Sequence, residues 1–167
     1  SRDALRLKPV PGRLDDVVGD TLTGFGPALA AAGVAVDRVA DAPDRVRLDP
    51  DVVGQILGNL LSNVEKYAPN APVRVETGRQ GDTLRLVVHD GGPGIPGLQR
   101  ERVFEPFYRP SNALTDRAQG TGIGLGLARD LARLHGGDLA LVASEVGARF
   151  EVSLHAPALH DDEEARP

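Results

Sequence analysis

The chain has 167 residues, 41% apolar and 4% aromatic, with a formal net charge of −5 at pH 7. That length suits one aliphatic core packed between layers of secondary structure and argues against two full domains. The acidic balance lacks the Lys and Arg excess that nucleic-acid binding needs, and the absence of Cys excludes disulfides, thiolate metal sites and a cysteine nucleophile.

In chain order, residues 1–10 mix charge with Leu5, Leu7 and Val10 and run into a Pro and Gly breaker at 9–12, which reads as a linker or short edge strand. Leu14, Val17, Val18, Leu22, Phe25 and Leu29 recur at helical spacing before Gly33, predicting a helix over 13–31 despite Gly24, Gly26 and Pro27. Residues 34–40 and 45–48 alternate apolar with polar positions around Asp41-Ala42-Pro43-Asp44 and read as a hairpin. Asp49 as a cap and Pro50 in the first turn open a helix to about Tyr67, where Pro69 helps to end it. Residues 73–77 and 84–89 form a second alternating pair around Gly81-Asp82. From 90 to 121 the pattern stops in a long loop containing Gly and Pro, of the kind that compact domains keep for function. A helix over about 122–134, stopped by Gly136-Gly137, and strands near 138–143 and 148–154 complete the core. The expected organisation is a linker over 1–11, one domain over 12–156 and an acidic, disordered tail over 157–167. No apolar run approaches the roughly 18 to 20 residues of a membrane span. The segment is therefore expected to be soluble and cytoplasmic, and Ser1 in place of Met suggests a processed or excised piece of a longer protein.

Three stretches carry chemistry. On the 50–67 helix, Val53, Ile56, Leu57, Leu60, Leu61 and Val64 make the core side, while Asn59, Asn63 and Lys66 fall at i, i+4 and i+7 on one polar face. A solvated surface would also be polar, but each Asn costs a few tenths of a kcal/mol (roughly) against Ala in a helix, so the pair points to work for its amide oxygens. Neutral oxygens beside a cation suit Mg²⁺ and phosphate. Asp90-Gly91-Gly92-Pro93-Gly94 puts a carboxylate at a strand end, beside a backbone that a ligand can approach. An Asp-Gly turn would look alike, except that no strand follows it. Gly120-Thr121-Gly122-Ile123-Gly124-Leu125-Gly126-Leu127 runs into a helix whose N-terminus favours anions. It matches neither a P-loop nor a dinucleotide fingerprint. Between the glycine stretches lies Phe104-Glu105-Pro106-Phe107-Tyr108-Arg109.

In this order and spacing the four stretches resemble the N, G1, F and G2 boxes of sensor histidine kinase ATP-binding domains, members of the GHKL ATPase superfamily, over residues 10–155. The resemblance implies the Bergerat fold, an α+β two-layer sandwich with a mixed, mainly antiparallel sheet, helices on one face and a flexible lid over ATP. It implies Asn63 as the main Mg²⁺ ligand with Asn59 beside it, Lys66 and Arg109 on phosphate, and Tyr67 stacked on adenine. Asp90 would accept the adenine amino hydrogen, a charge-assisted bond worth about 1.5 to 3 kcal/mol, with Gly92 and Gly94 letting the ring approach. Gly122, Gly124 and Gly126 would close around the phosphates, and Ile95, Phe104, Gly120, Thr121 and Leu125 complete the implied nucleotide-binding set. Gly91 and Ala148 depart from the usual Asn and Thr of the family, which touches secondary contacts only.

The resemblance also bears on mechanism. Topoisomerases, mismatch-repair ATPases and a heat-shock chaperone of the superfamily carry a water-activating Glu one turn before the metal-binding Asn, where this chain has Asn59. Hydrolysis should be slow, and transfer to an imidazole, with Asn59, Lys66 and Arg109 as the catalytic group, is implied instead. His89, His135, His155 and His160 lack the helical His-Glu/Asp setting of the family's phosphoacceptor. The acceptor is therefore expected on a separate dimerisation domain of the same protein, with a response regulator downstream and no nucleic-acid or membrane contact by this segment. A degenerate, non-catalytic ATP-binding signalling module remains compatible, as does a serine kinase of the anti-sigma type, against which the missing Glu also weighs.

Overall fold

A computed structural model describes residues 6–106, 108 and 124–159. Strand β1 (Val10–Arg13) leads directly into helix α1 (Leu14–Ala31), followed by β2 (Val36–Val39), β3 (Arg45–Leu48), helix α2 (Pro50–Tyr67), β4 (Val73–Gln80) and β5 (Thr83–Asp90). Two short 3-10 turns, Gly97–Gln99 and Arg102–Phe104, precede helix α3 (Gly124–Leu134), β6 (Asp138–Val142) and β7 (Arg149–His155). The main sheet has the order β2-β4-β5-β7-β6, and every neighbouring pair is antiparallel except β2 with β4. This is the expected α+β arrangement. A separate two-stranded sheet joins β1 to β3.

Period-two alternation decides which face of the main sheet is covered. Val73, Val75, Leu84, Leu86, Val88, Leu139, Leu141, Phe150, Val152 and Leu154 are buried on the helix side. The other face carries exposed or half-buried Arg74, Glu76, Arg85, Arg149 and Glu151, paired as Arg74 with Glu76 and Arg85 with Glu151 at 2.7 Å each. Such pairs keep the face soluble and add at most about 1 kcal/mol each.

Helix α2 is the central element, and its start is specified locally. The Asp49 carboxylate accepts the backbone N–H groups of Asp51 and Val52 at 3.1 Å, and Pro50 stands where a missing N–H costs nothing. Val52, Val53, Ile56, Leu57, Leu60, Leu61 and Val64 are then buried, each worth about 1.5 to 3 kcal/mol. Helix α1 runs unbroken through Pro27, because Leu14, Val18 and Leu29 bury against the core and Phe25 packs on Gly58 of α2. Tertiary packing overrides the weak local signal there. Helix α3 buries Ala128, Leu131 and Ala132 and stops at Gly136, whose φ of +79° suits glycine.

Two expectations need correction. The predicted hairpin over 34–48 does not form: β2 joins the main sheet parallel to β4, while β3 pairs with β1. The link between them crosses from one sheet to the other. Ala42 is buried there, its N–H donates to Asp15 Oδ2 at 3.0 Å, and the Asp41 N–H donates to Thr77 Oγ1, which itself donates to Asp15 Oδ1. Alternation identifies a strand but not its neighbour, and this polar knot makes the choice. The Pro and Gly breaker at 9–12 lies largely inside β1 and forms the short edge strand that the sequence offered beside a linker, where a missing N–H is tolerated. At the other end, Ala158 bridges to Val46 and Leu159 is buried, so the first residues assigned to the tail are packed.

Candidate functional site

The C-terminal end of β5 places Asp90, which is 6% exposed. Its Oδ1 accepts two backbone N–H groups, from Gly92 at 3.0 Å and from Ala148 at 3.1 Å, and its own N–H donates to the Ala148 carbonyl. Among the described residues Oδ2 takes no hydrogen bond. Burial pushes the Asp90 carboxyl above its ordinary range, and the Ala148 and Gly92 N–H groups and the nearby His89 pull it partly back. The result is a buried carboxyl with one oxygen fixed and the other available to a donor.

The walls around it are backbone. A Cβ on Gly92 would meet the Ala68 methyl at 2.6 Å, one on Gly94 would meet the Gly147 carbonyl at 2.9 Å, and Ile95 follows, half-buried. Gly147 has φ of +66°, and a side chain there would run into the Asp90 carbonyl. The His89 ring lies 2.9 Å from Ser144 Oγ and 2.7 Å from the Val146 carbonyl, tying the 143–147 loop against the end of β5.

A second group of predicted residues sits on α2. Asn59, Asn63 and Tyr67 are half-buried and Lys66 is exposed, and among the described residues no hydrogen bond or ion pair engages their side chains. Gly124, in the first turn of α3, faces Asn59, with its Cβ position 3.9 Å from the Asn59 amide. Leu125 packs against the core, and Gly126 lets the Phe104 carbonyl come within 2.5 Å of where a Cβ would stand. No group of three His, Asp or Glu side chains among the described residues could hold a metal ion. A divalent ion here would depend on neutral amide oxygens such as those of Asn63 and Asn59, together with oxygens of a bound ligand, which is the donor chemistry that suits Mg²⁺.

Phe104 is 7% exposed and meets Phe150 edge-on, with centroids 6.4 Å apart. The Arg129 guanidinium lies 3.8 Å from the Phe104 ring centroid, donates to the Leu139 carbonyl at 2.9 Å and pairs with the Glu101 carboxylate. That hydrogen bond holds the Glu101 carboxyl below its ordinary range. Arg109, Gly120, Thr121 and Gly122 lie outside the described residues, as does most of the expected lid.

Sequence reasoning missed Gly147, the Ala148 N–H and the clamp of Glu101 and Arg129. Gly147 reads as an ordinary turn glycine before a strand, and a backbone donor leaves no sequence signal. Arg129 and Glu101 lie 28 positions apart, and nothing in either segment names the other.

Comparison with known proteins bears on what this arrangement is. The family described as histidine kinase-, DNA gyrase B- and HSP90-like ATPase matches residues 48–158. The signal transduction histidine-protein kinase AfsQ2 of Streptomyces coelicolor is 40% identical over 157 residues, which cover 92% of this chain and 29% of that protein. The chain spans less than a third of the length of curated relatives that it matches. The fold matches a mycobacterial sensor histidine kinase, MprB, with TM-score 0.75 at 24% identity, covering 91% of this chain and all of that one. It also matches histidine kinase ThkA solved in complex with the response regulator protein TrrA, with TM-score 0.74 at 23% identity over 96% of this chain and 44% of that one. No helix among the described residues is long and apolar enough to cross a membrane. The chain belongs to the histidine kinase-, DNA gyrase B- and HSP90-like ATPase family, and within it is a catalytic ATP-binding domain of the two-component sensor histidine kinase type.

Proposed function

We propose that this domain binds Mg·ATP between the end of β5 and the facing ends of α2 and α3, and donates the γ-phosphoryl group to a histidine on a separate dimerisation domain. A response regulator would then receive it, as the pairing of ThkA with TrrA suggests by analogy. The observation that carries the reading is the Asp90 carboxyl, held by two backbone donors on one oxygen and, among the described residues, open on the other. Such a group is built to accept one hydrogen bond from a ligand, and the adenine amino group is the donor that fits.

In this reading Asp90 selects adenine, Gly92, Gly94 and Ile95 line the ring, and Tyr67 stacks on it. Asn63 holds the metal with Asn59 beside it. Lys66 and Arg109 neutralise charge on the phosphates, Gly124, Leu125 and Gly126 offer backbone N–H groups at the positive end of α3, and Gly120, Thr121 and Gly122 complete the phosphate-binding set. Phe104 anchors the base of the lid. When bound, Mg²⁺ would supply charge neutralisation on the triphosphate. The protein's share is positioning, because the acceptor imidazole is already a nucleophile and Asn59 offers no carboxylate to activate water. The acceptor lies elsewhere: His135 is buried, and His89 is engaged by the 143–147 loop. The segment would work on the cytoplasmic side, with the packed residues from β1 to Leu159 as the catalytic unit.

The test is calorimetric titration with Mg·ADP, Mg·GDP and ADP without metal. Micromolar, adenine-selective and Mg²⁺-assisted binding supports the reading; absence of binding rejects it in favour of a degenerate scaffold.

A further inference from the structure

Helices α2 and α3 lie antiparallel, and they touch at two marked points. At one end Gly124 faces Asn59. At the other, His135, just past the end of α3 and 1% exposed, meets Asp49, the cap of α2. From Asp49 to Asn59 is about 15 Å of helix, and from Gly124 to His135 about 16 Å, so the position of one junction fixes that of the other.

The His135 ring is fully committed. The Asp49 backbone N–H donates to Nε2 at 2.9 Å, which makes Nε2 the acceptor and places the ring proton on Nδ1, 3.0 Å from the His155 carbonyl. The His155 N–H in turn donates to the His135 carbonyl at 2.9 Å. Asp49 is equally committed: one carboxylate oxygen caps α2, and the other accepts the Lys8 N–H at 2.7 Å. Directional bonds thus tie the end of α3 to the start of α2, to β7 and to the chain arriving at Lys8.

The seam between the helices needs such a tie. Of the three buried residues of α3, Ala128 and Ala132 offer only a methyl group each, beside Leu131 and the partly buried Leu125 and Leu134. Aliphatic burial is non-directional, so it holds the helices together without setting their register sharply. We propose that His135 is a positioning residue for the nucleotide phosphates: by fixing the register of α3 along α2 it sets Gly124, in the first turn of α3, opposite Asn59. This rests on the nucleotide reading of the site. The adenine end is built from β5, the 143–147 loop and the C-terminal end of α2, so it does not depend on where α3 lies.

The contrast gives the experiment, done on the whole chain with His135→Leu and His135→Gln. Leu keeps the apolar bulk and removes both hydrogen bonds, whereas the Gln amide offers an acceptor and a donor at a spacing close to that of the two ring nitrogens. Mg·ADP and adenosine are titrated into each. The expected result is an Mg·ADP affinity about tenfold weaker in the Leu variant, adenosine affinity within about twofold of wild type, and recovery of Mg·ADP binding by Gln. Equal losses for both ligands, or no loss for either, overturn the inference and leave His135 a stabilising residue only. A wild-type chain that binds neither ligand overturns the nucleotide reading, and this inference with it. If the Leu variant does not fold, wild-type hydrogen exchange decides: reciprocity requires Mg·ADP to slow exchange of the Asp49 amide more than adenosine does, and equal slowing overturns the proposal.

Discussion

The two ends of the site are made differently. Around Asp90 nearly every constraint is backbone, with two N–H donors, the Gly147 turn and the Gly94 contact, all anchored on a buried strand. Around Asn59 and Asn63 the constraint is how two helices lie against each other, and the side chains themselves are uncommitted among the described residues. A sheet end presents a pre-formed acceptor, while a helix face presents ligands whose use depends on what else is bound. Substitutions that disturb the backbone at the first end should therefore cost stability and binding together, and those at the second should cost binding alone.

The largest expected effect tests the first half of that statement. Gly147→Val forces a β-branched residue into positive φ against the Asp90 carbonyl and should destabilise the fold by about 3 kcal/mol or more, read as a fall in melting temperature of roughly 10 °C. An unchanged melt would mean that the loop is not held against β5 as described. Asn63→Ala tests the second half. It should remove Mg²⁺-assisted nucleotide binding, weakening Mg·ADP at least about a hundredfold, while leaving stability within about 0.5 kcal/mol because Ala favours the helix. A large loss of stability would erase the contrast between the ends.

Asp90→Asn sharpens it, because the two effects run in opposite directions. The amide oxygen can still accept from Gly92 and Ala148, so the turn persists, but the open position now carries an NH₂ group or loses its charge. Adenine affinity should fall about tenfold or more. Stability moves the other way. The folded carboxyl is pushed above its unfolded value by burial, so its contribution to stability is fully present below the unfolded value near 3.8 and is lost as pH rises through the higher folded one. Asn carries no such loss and should melt higher than wild type at neutral pH. Nucleotide affinity of the wild type should weaken on acidification through that folded value, as the acceptor gains a proton. Melting curves and titrations across the acid range check both signs.

What could be read from the sequence follows from the same division. Helix α2 was legible because its cap, first-turn Pro and 3.6-residue apolar period agree, and its polar stripe of Asn59, Asn63 and Lys66 follows from that period. The β4 and β5 hairpin was legible because Gly81-Asp82 separates two alternating runs that stay neighbours. The 34–48 pairing was not, since Asp15, Thr77 and Ala42 are brought together from three separate segments. Asp90 could be named from its place before the glycines, but what holds its carboxyl, the Ala148 N–H from 58 positions away, could not. His135 is legible in the sequence only as lacking the phosphoacceptor setting, while its burial and two ring hydrogen bonds come from Asp49 and His155, distant in the chain.

The smallest expected effect concerns the join between the two ends, where Phe104 meets α3. Three contacts hold Arg129: the Phe104 ring, the Leu139 carbonyl and the Glu101 carboxylate. The first two are enclosed, whereas the Glu101 side chain is 80% exposed, so solvent screens its charge. Glu101→Gln keeps an oxygen for one Arg129 N–H, and the melting temperature should change by no more than about 1 °C. Any difference should appear near neutral pH and vanish in acid. Because Arg129 holds the folded Glu101 carboxyl below its unfolded value, its contribution is present above the unfolded value near 4.5 and is lost as pH falls through the folded one. A shift of several degrees would instead make the exposed ion pair the main fastening of Phe104, and the join would belong with the charge-dependent end of the site rather than with the packed one.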